Sequence, residues 1–368
     1  MNAIAESVRT SGPPPTPRSP LRWLRQNLFG SFWSAATTLA LGWLAVHGLY
    51  ELIDWALVQA VFSVPGSGIS VDTAACRAVE GHGACWAIIP EKLRFILFGR
   101  YSYDEQWRPA LSIAGFIALY ACTTWRRLWG WPLAVLWIGA TVAILAVMTG
   151  GFAALTPVPT HLWGGLPVTL ILATFGLAGA FPLAVLIALC RRSSNLPTLA
   201  WLCHLFVELV RGVPIVSVLF MASVMFPLLL PEGLNLDKLL RAQLAFTLFA
   251  AAYLSEAIRG GLQGIPAGQY EAAEALGLGY WRRTTLVILP QAIRLAIPSI
   301  VNTFIGIFKD TSLVLIIGIL DLLTAGQSAV LEPAWAGFST EVYLFVGAIY
   351  FAFCTAIARY GKRMERRA

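Results

Sequence analysis

Long apolar runs follow one another along this chain, and they are continuous rather than alternating. Eight stand out, roughly 29–50, 109–125, 131–149, 165–189, 200–230, 241–258, 293–319 and 342–358. Each is long enough for a helix to cross about 30 Å of hydrocarbon, which takes roughly 17–25 residues. A membrane barrel would show short segments with every second residue apolar, and these runs do not. The pattern predicts an all-α integral membrane protein with about eight transmembrane helices. Two polar stretches interrupt it: a loop over 63–108, and a charged segment between about 260 and 291.

Composition agrees with this pattern. Only 12% of the 368 residues are charged, against about 25% in ordinary soluble domains, and mean hydropathy is +0.71. The net charge of +7 suggests nucleic acid at first sight, but the basic residues are spread by side of the membrane. With a cytoplasmic N-terminus, seventeen Lys and Arg fall on that side and seven on the other. The positive-inside rule accounts for this bias without an acidic partner. The first 20 residues carry Pro13 to Pro15, Pro17 and Pro20 but no apolar run. They read as a cytoplasmic Pro-rich tail rather than a signal peptide, so the first span is expected to act as an uncleaved anchor.

The chain divides by pattern. After the tail (1–28), residues 29–163 hold three runs, the exported loop 63–108 and many aromatics near run ends, as in an interfacial belt. Glu51 and Asp54 in ELIDWALVQAVF point to an amphipathic stretch on the outer surface rather than the far end of the first helix. From Gly164 to Arg363 a five-run block follows, with Gly176, Gly179, Pro182, Pro214 and Pro298 inside its runs and a short tail (364–368) after it. Small residues let helices approach and prolines bend them. Four cysteines (Cys122, Cys190, Cys203 and Cys354) sit in or beside runs and read as packing residues. Cys76 and Cys85 lie together in the 63–108 loop. An oxidising exterior makes a disulfide between them plausible, with two free thiols as the alternative.

The charged segment over 260–291 is the most informative. It reads EAAEALGLGYWRRTTLVILPQ from Glu271 to Gln291. Glu271 to Leu276 is built from strong helix formers, and Gly277 suits the left-handed residue that ends a helix. A second short helix is expected from Tyr280, stopping at Pro290, whose preceding residue is biased away from helical geometry. Glu-Ala-Ala, three residues, Gly277, nine residues and Val287-Ile288-Leu289-Pro290 together resemble the EAA loop of ABC-transporter permeases, with Val287 where that family usually has Ile. Three further segments resemble the polar amino acid uptake branch of those permeases: LVRGVPIV (Leu209 to Val216), LSEAIRGGLQGIPAGQYEAAEALGLG (Leu254 to Gly279) and FKDTSL (Phe308 to Leu313). Upstream, CRAVEGHGACWAIIPEKLRFILFGRYSYDEQWRP and the three extra runs resemble the M-type permease subunit of general L-amino acid transporters.

That resemblance implies a five-helix type I ABC importer core preceded by three extra helices. It implies a multi-pass protein of the bacterial inner membrane, both termini cytoplasmic, carrying L-amino acids. Its implied partners are a separate ATP-binding subunit, a second permease chain and a periplasmic amino acid-binding protein, besides the lipid bilayer and without nucleic acid. Glu271, Ala272, Ala273 and Gly277 become the residues that couple to the ATPase, with Arg282, Arg283 and Pro290 beside them. The two alanines are expected to permit close contact in the partner's groove, Glu271 to offer a hydrogen bond, and Tyr280 to Arg283 to touch the partner or headgroups.

Charges within the runs need partners or water. Lys309 and Asp310 are expected toward the outer end of their span, as part of the translocation path or as a packing pair. Arg211 is expected to pair with Glu208, three residues away on one face, and Glu256 with Arg259. Arg211, Lys309 and Asp310 are the candidates for meeting a zwitterionic substrate; His204 reads as a packing residue. No G-x-x-x-x-G-K-[ST] occurs, so no cofactor is expected in this chain, and ATP with Mg belongs on the partner ATPase. His47, His82, His161 and His204 lack ligand spacing, and no metal site is expected. A membrane-embedded enzyme would need convergent catalytic groups, which are missing. An ion-coupled secondary transporter remains the alternative, although the three-plus-five organisation lacks that class's repeats.

Overall fold

The computed structural model describes residues 20–66, 72–152, 155–193, 195–231, 233 and 236–366. Most of the Pro-rich tail, with Arg9 and Arg18, and Arg367 lie outside the described residues. The described part is helical, and its contacts divide the chain into two units.

The first unit comprises residues 1–64 and 74–85. Helix α1 (Pro20–Leu28) turns into α2 (Phe32–Ile53), whose first turn is capped by the Ser31 hydroxyl accepting from the Ser34 N–H. No residue of α2 is buried, as suits a lipid-facing span. The helix runs on without a break into a π turn over Asp54–Val58, giving one 27-residue apolar segment, Phe32–Val58. Glu51 and Asp54 therefore sit on the far end of the first span, not on a separate amphipathic stretch. Both are placed where the helix nears its end, so their charges need not enter hydrocarbon. Beyond α3 (Ala74–Ala78), Cys76 and Cys85 are bonded in a disulfide with Cα atoms 5.4 Å apart. The Val61 N–H donates to the Ala84 carbonyl and the Ala84 N–H to the Trp55 carbonyl, tying this short loop to the end of the span.

The second unit holds the remaining helices. Helix α4 (Ile88–Phe98) precedes a hairpin of α5 (Trp107–Thr123) and α6 (Trp131–Thr149), joined by a turn at Arg126–Leu128. Helix α7 (Leu166–Cys190) follows, and α5 packs against it, so the hairpin that the sequence groups with the first span shares a unit with the five-run block. The first eight residues of α7 are all buried. Beyond them Gly176, Ala180, Ala184 and Ala188 form a small-residue stripe at four-residue spacing. That stripe lets α11 (Lys238–Gln263) lie close: a Cβ on Gly176 would sit 3.5 Å from the Phe246 Cβ, and one on the neighbouring Gly179 3.0 Å from Thr247.

The run 200–230 is not one straight helix. Helix α8 (Pro197–Gly212) and the segment made by α9 (Ile215–Phe220), a π turn (Met221–Met225) and α10 (Phe226–Leu228) meet at 105°. Val213 is extended, with φ −112° and ψ 135°, as the residue before Pro214 prefers. After α11 come α12 (Ala267–Ala275), α13 (Tyr280–Arg282) and α14 (Leu289–Asp310). Helix α15 (Leu322–Val330) is capped by the buried Asp321, which accepts from the Leu323 and Thr324 N–H groups and the Tyr350 hydroxyl. Helix α16 (Ser339–Glu365) completes the chain.

Helices occupy all eight places that the apolar runs marked. By length and apolarity, five of the described helical segments qualify as spans, or six with the bent pair counted as one. Helix α5, with 17 residues, and α11, with Lys238, Arg241, Glu256 and Arg259 toward its ends, are the two outside that count.

Candidate coupling site

The charged segment folds back on the bundle as a compact elbow. Helix α12 ends at Ala275, and Gly277 takes φ +72°. The Gly277 N–H donates to the Glu274 carbonyl and the Leu278 N–H to the Ala273 carbonyl, satisfying the helix's last acceptors. A Cβ on Gly277 would meet nothing within 4 Å. Glycine is needed there for the left-handed backbone and not for lack of space.

The expected stop at Pro290 does not occur. Leu289 is helical (φ −62°, ψ −41°), and the chain runs as one helical segment from Tyr280 to Ile317. A π turn over Arg283–Ile288 makes this possible: the Leu289 N–H donates to the Thr284 carbonyl, five residues back. The wider turn accommodates a proline ring that would clash with the preceding turn of a regular α-helix. The coupling elbow and the fourth core span are thus mechanically continuous.

Helix α12 packs on this π turn, and Ala273, Thr284 and Ile288 are the buried residues of the two elements. Ala273 is 3% exposed, so it is held by its own chain and is not free to enter a partner's groove, whereas Glu271 and Ala272 are exposed. Arg283 forms an ion pair with Glu274 at 3.0 Å, bracing the two arms of the elbow, while Arg282 and Pro290 are exposed. Tyr280 and Trp281, expected to meet a partner or headgroups, are exposed as part of a larger apolar tip that Leu276 and Leu286 extend. Leu276 is 79% exposed, with Tyr280, Trp281 and Leu286 also exposed beside it. The elbow thus presents an exposed apolar patch around the Glu271 carboxylate.

Three contacts fasten the elbow at its base. A Cβ on Gly261 would lie 2.2 Å from the Ala292 carbonyl oxygen, so α11 and α14 touch backbone to side where the elbow begins and ends. Gln291 donates to the Gln269 side chain at 3.0 Å. Arg192, just past the end of α7, donates to the Leu262 carbonyl (3.1 Å) and the Tyr270 hydroxyl (2.5 Å), and its guanidinium lies 4.7 Å from the centre of that ring. Displacement of α12 therefore reaches α7, α11 and α14 together.

Next to this base lies a charge cluster. Arg191, whose side chain is 5% exposed, donates to Glu256 at 2.7 Å, with its other nitrogen 2.9 Å from His204 Nδ1 and 4.0 Å from Glu208. Glu256 also pairs with Arg259, as expected, and stands 3.9 Å from Arg211. The expected Arg211–Glu208 pair is not formed: Arg211 turns toward Glu256 and the Tyr253 ring (5.4 Å), and Glu208 toward Arg191. The bend at Pro214 ends α8 immediately after Arg211 and frees that side chain to reach α11. His204 is a hydrogen-bond partner, not only a packing residue. Lys309 is exposed and Asp310 half-buried at the end of α14; among the described residues neither forms an ion pair, and none joins them to Arg211.

Comparison with known proteins identifies the family. Residues 180–368 match the family model described as "Binding-protein-dependent transport system inner membrane component". The chain belongs to that family. Along its length it is 43% identical to the "Inner membrane amino-acid ABC transporter permease protein YhdY" of Escherichia coli, covering 96% of each chain. It is 34% identical to the "Glutamate/glutamine/aspartate/asparagine transport system permease protein BztC" of Rhodobacter capsulatus, over 98% of this chain and 97% of that one. Among solved structures, a crystal structure of an amino acid ABC transporter with histidines is 29% identical, covers 55% of this chain and 92% of its own, and has a TM-score of 0.49. The chain is a membrane-embedded ABC permease subunit, a transport component rather than an enzyme, and the family works with an ATP-binding partner and other subunits. The ion-coupled alternative falls away.

Proposed function

We propose that this chain forms half of the passage of an ATP-driven, binding-protein-dependent importer that carries L-amino acids across the bacterial inner membrane, with both termini cytoplasmic. The observation that carries this reading is the elbow: an exposed Glu271-Ala272 pair and the Leu276 tip, presented by a helix tied to α7, α11 and α14. A separate ATP-binding subunit, holding ATP and Mg, docks on it. A second permease chain completes the passage, and a periplasmic binding protein delivers the substrate. The amino acid cargo is supported by what the two full-length relatives are named for.

Closure of the ATPase pushes on α12. Because the Tyr280–Ile317 segment is continuous, the push travels along α14 to Lys309 and Asp310 without a flexible joint. Those two residues and Arg211 are the candidate polar contacts for a zwitterion, which needs a cation and an anion partner.

The test is uptake of labelled L-amino acids by cells that express the chain with its partner subunits. ATP depletion should abolish uptake and a proton uncoupler at constant ATP should not. Uptake that survives ATP depletion but collapses with the uncoupler would overturn the proposal.

A further inference from the structure

Two adjoining cavities lie among α5, α6, α7, α14 and α16; the smaller is beside the start of α14, at Arg294 and Ile297, and the larger extends along the helix to Phe304 and Phe308 near its end. The larger, about 600 Å3, is lined almost wholly by apolar side chains, including Ile117, Leu177, Phe181, Phe304, Phe353 and Ile357. Its polar groups are turned on one another. The Tyr120 hydroxyl is 2.5 Å from the Thr174 hydroxyl, and the Trp137 indole N–H donates to the Thr123 hydroxyl at 3.0 Å. That volume falls within the roughly 300–1,000 Å3 of cavities that hold ligands, and nothing in it would hold water.

The smaller cavity, about 380 Å3, shares Thr124 and Tyr360 with the first. Its lining has another character: Arg126, Arg294 and Arg363, all exposed, line it together, with Trp125 and Trp129 beside them. They come from three elements far apart in sequence, the α5–α6 turn and helices α14 and α16. Arg126 lies 5.5 Å from the centre of the Trp129 ring. Among the described residues none of the three arginines has a carboxylate within ion-pair distance, in contrast to Arg191 and Arg259, and no Asp or Glu lines either cavity. Three like charges gathered without a counter-charge repel one another. Three arginines around one cavity favour an anion there, and the apolar cavity beside them favours a hydrocarbon tail on that anion.

We infer that this is a site for one anionic phospholipid, its phosphate on Arg126, Arg294 and Arg363 and an acyl chain in the cavity between the α5–α6 hairpin and the core helices. Guanidinium groups bind phosphate through paired hydrogen bonds, and basic pockets between membrane helices bind lipid headgroups in this way. The lipid wedges the hairpin against helices α14 and α16, and so joins the extra helices to the transport core.

The experiment is native mass spectrometry of the purified full chain in neutral detergent, titrated with phosphatidylglycerol and with phosphatidylcholine of the same chains. One phosphatidylglycerol should be retained at concentrations where phosphatidylcholine is lost. The triple variant Arg126→Gln, Arg294→Gln, Arg363→Gln should bind it about 100-fold more weakly, at roughly five-fold per charge. The triple Arg→Lys variant should keep most of the binding, which separates lost charge from damaged folding. Ala178→Trp, which fills the apolar cavity and leaves the arginines intact, should lose the lipid as well. Equal retention of the two lipids, or undiminished binding by the Arg→Gln variant, would overturn the inference. So would complete displacement of the phosphatidylglycerol by glycerol phosphate at similar concentration, because the occupant would then be a free anion. None of these readouts depends on transport, so the lipid site and the importer reading fail separately.

Discussion

Gly260 and Gly261 are neighbours on α11, and alanine at each should have opposite effects. A methyl at Gly260 meets nothing within 4 Å; at Gly261 it would stand 2.2 Å from the Ala292 carbonyl oxygen and 3.0 Å from both its carbon and the Ala296 Cβ. The oxygen belongs to the backbone of α14, so no rotamer change relieves the clash. Helices α11 and α14 must part by about 1 Å to reach even a tight carbon–oxygen contact. Overpacking of this kind costs about 1–3 kcal/mol. Replacing glycine by alanine inside a helix gains roughly 0.5–1 kcal/mol. That gain is common to both variants, so the difference between them isolates the packing cost at about 1–3 kcal/mol. Thermal unfolding in detergent should place Gly260→Ala at or above the wild type and Gly261→Ala below it. In the assembled transporter, Gly261→Ala should also import less substrate per ATP hydrolysed, because the base of the elbow has been pried open. If Gly261→Ala matches Gly260→Ala in both stability and uptake, the clamp between α11 and α14 does not exist as described.

The other contacts of the elbow give further tests. Gly277→Asp places its side chain in open space and costs about 1–2 kcal/mol of backbone strain, so the chain should still insert and fold with an unfolding temperature lowered by a few degrees, while ATP-driven uptake is lost at the partner surface. Normal uptake at normal expression would remove Gly277 from that surface. Arg192→Ala breaks the link from α7 to Tyr270 and should leave ATP hydrolysis intact with reduced uptake. Its stability cost should be small, about 0.5–1 kcal/mol for an exposed contact, and Lys at this position should restore part of the uptake, because a single nitrogen of Arg192 bonds both the Leu262 carbonyl and the Tyr270 hydroxyl. Unchanged uptake per ATP in Arg192→Ala would show that the link carries no force. Cys76 and Cys85 should resist alkylation until reduced, and their reduction should loosen the segment between them by roughly 2–3 kcal/mol of loop-closure free energy. Labelling of both thiols without reductant would reject the bond.

The helical architecture was legible because the apolar runs are long and the turn residues local: Gly277 announced its left-handed turn, and Glu271 to Ala275 their helix. Pro290 misled for a physical reason. The π turn that accommodates it is encoded by no residue type, only by the packing of Thr284 and Ile288 beneath α12. Pro214 was visible as an interruption, yet its consequence, a 105° bend that redirects Arg211, depends on a partner 45 residues further on at Glu256. Arg191 and Arg192 counted in the sequence only toward membrane orientation. Their roles as buried hub and as link to the elbow come from helices that meet only in the folded bundle. Local spacing favoured Glu208 for Arg211, and the tertiary competition from Arg191 reversed it.

The central claim is that the elbow is the handle by which an ATPase moves this membrane bundle. Affinity purification of the tagged chain in mild detergent tests it most directly, comparing wild type with Glu271→Lys. Glu271 is exposed and has no ion pair within the elbow among the described residues, so the charge reversal should leave the fold intact and act only on the partner. An ATPase that co-purifies with the wild type and is lost from Glu271→Lys is the predicted result. Equal recovery of the ATPase with both proteins, or none with either despite an intact fold, would contradict it.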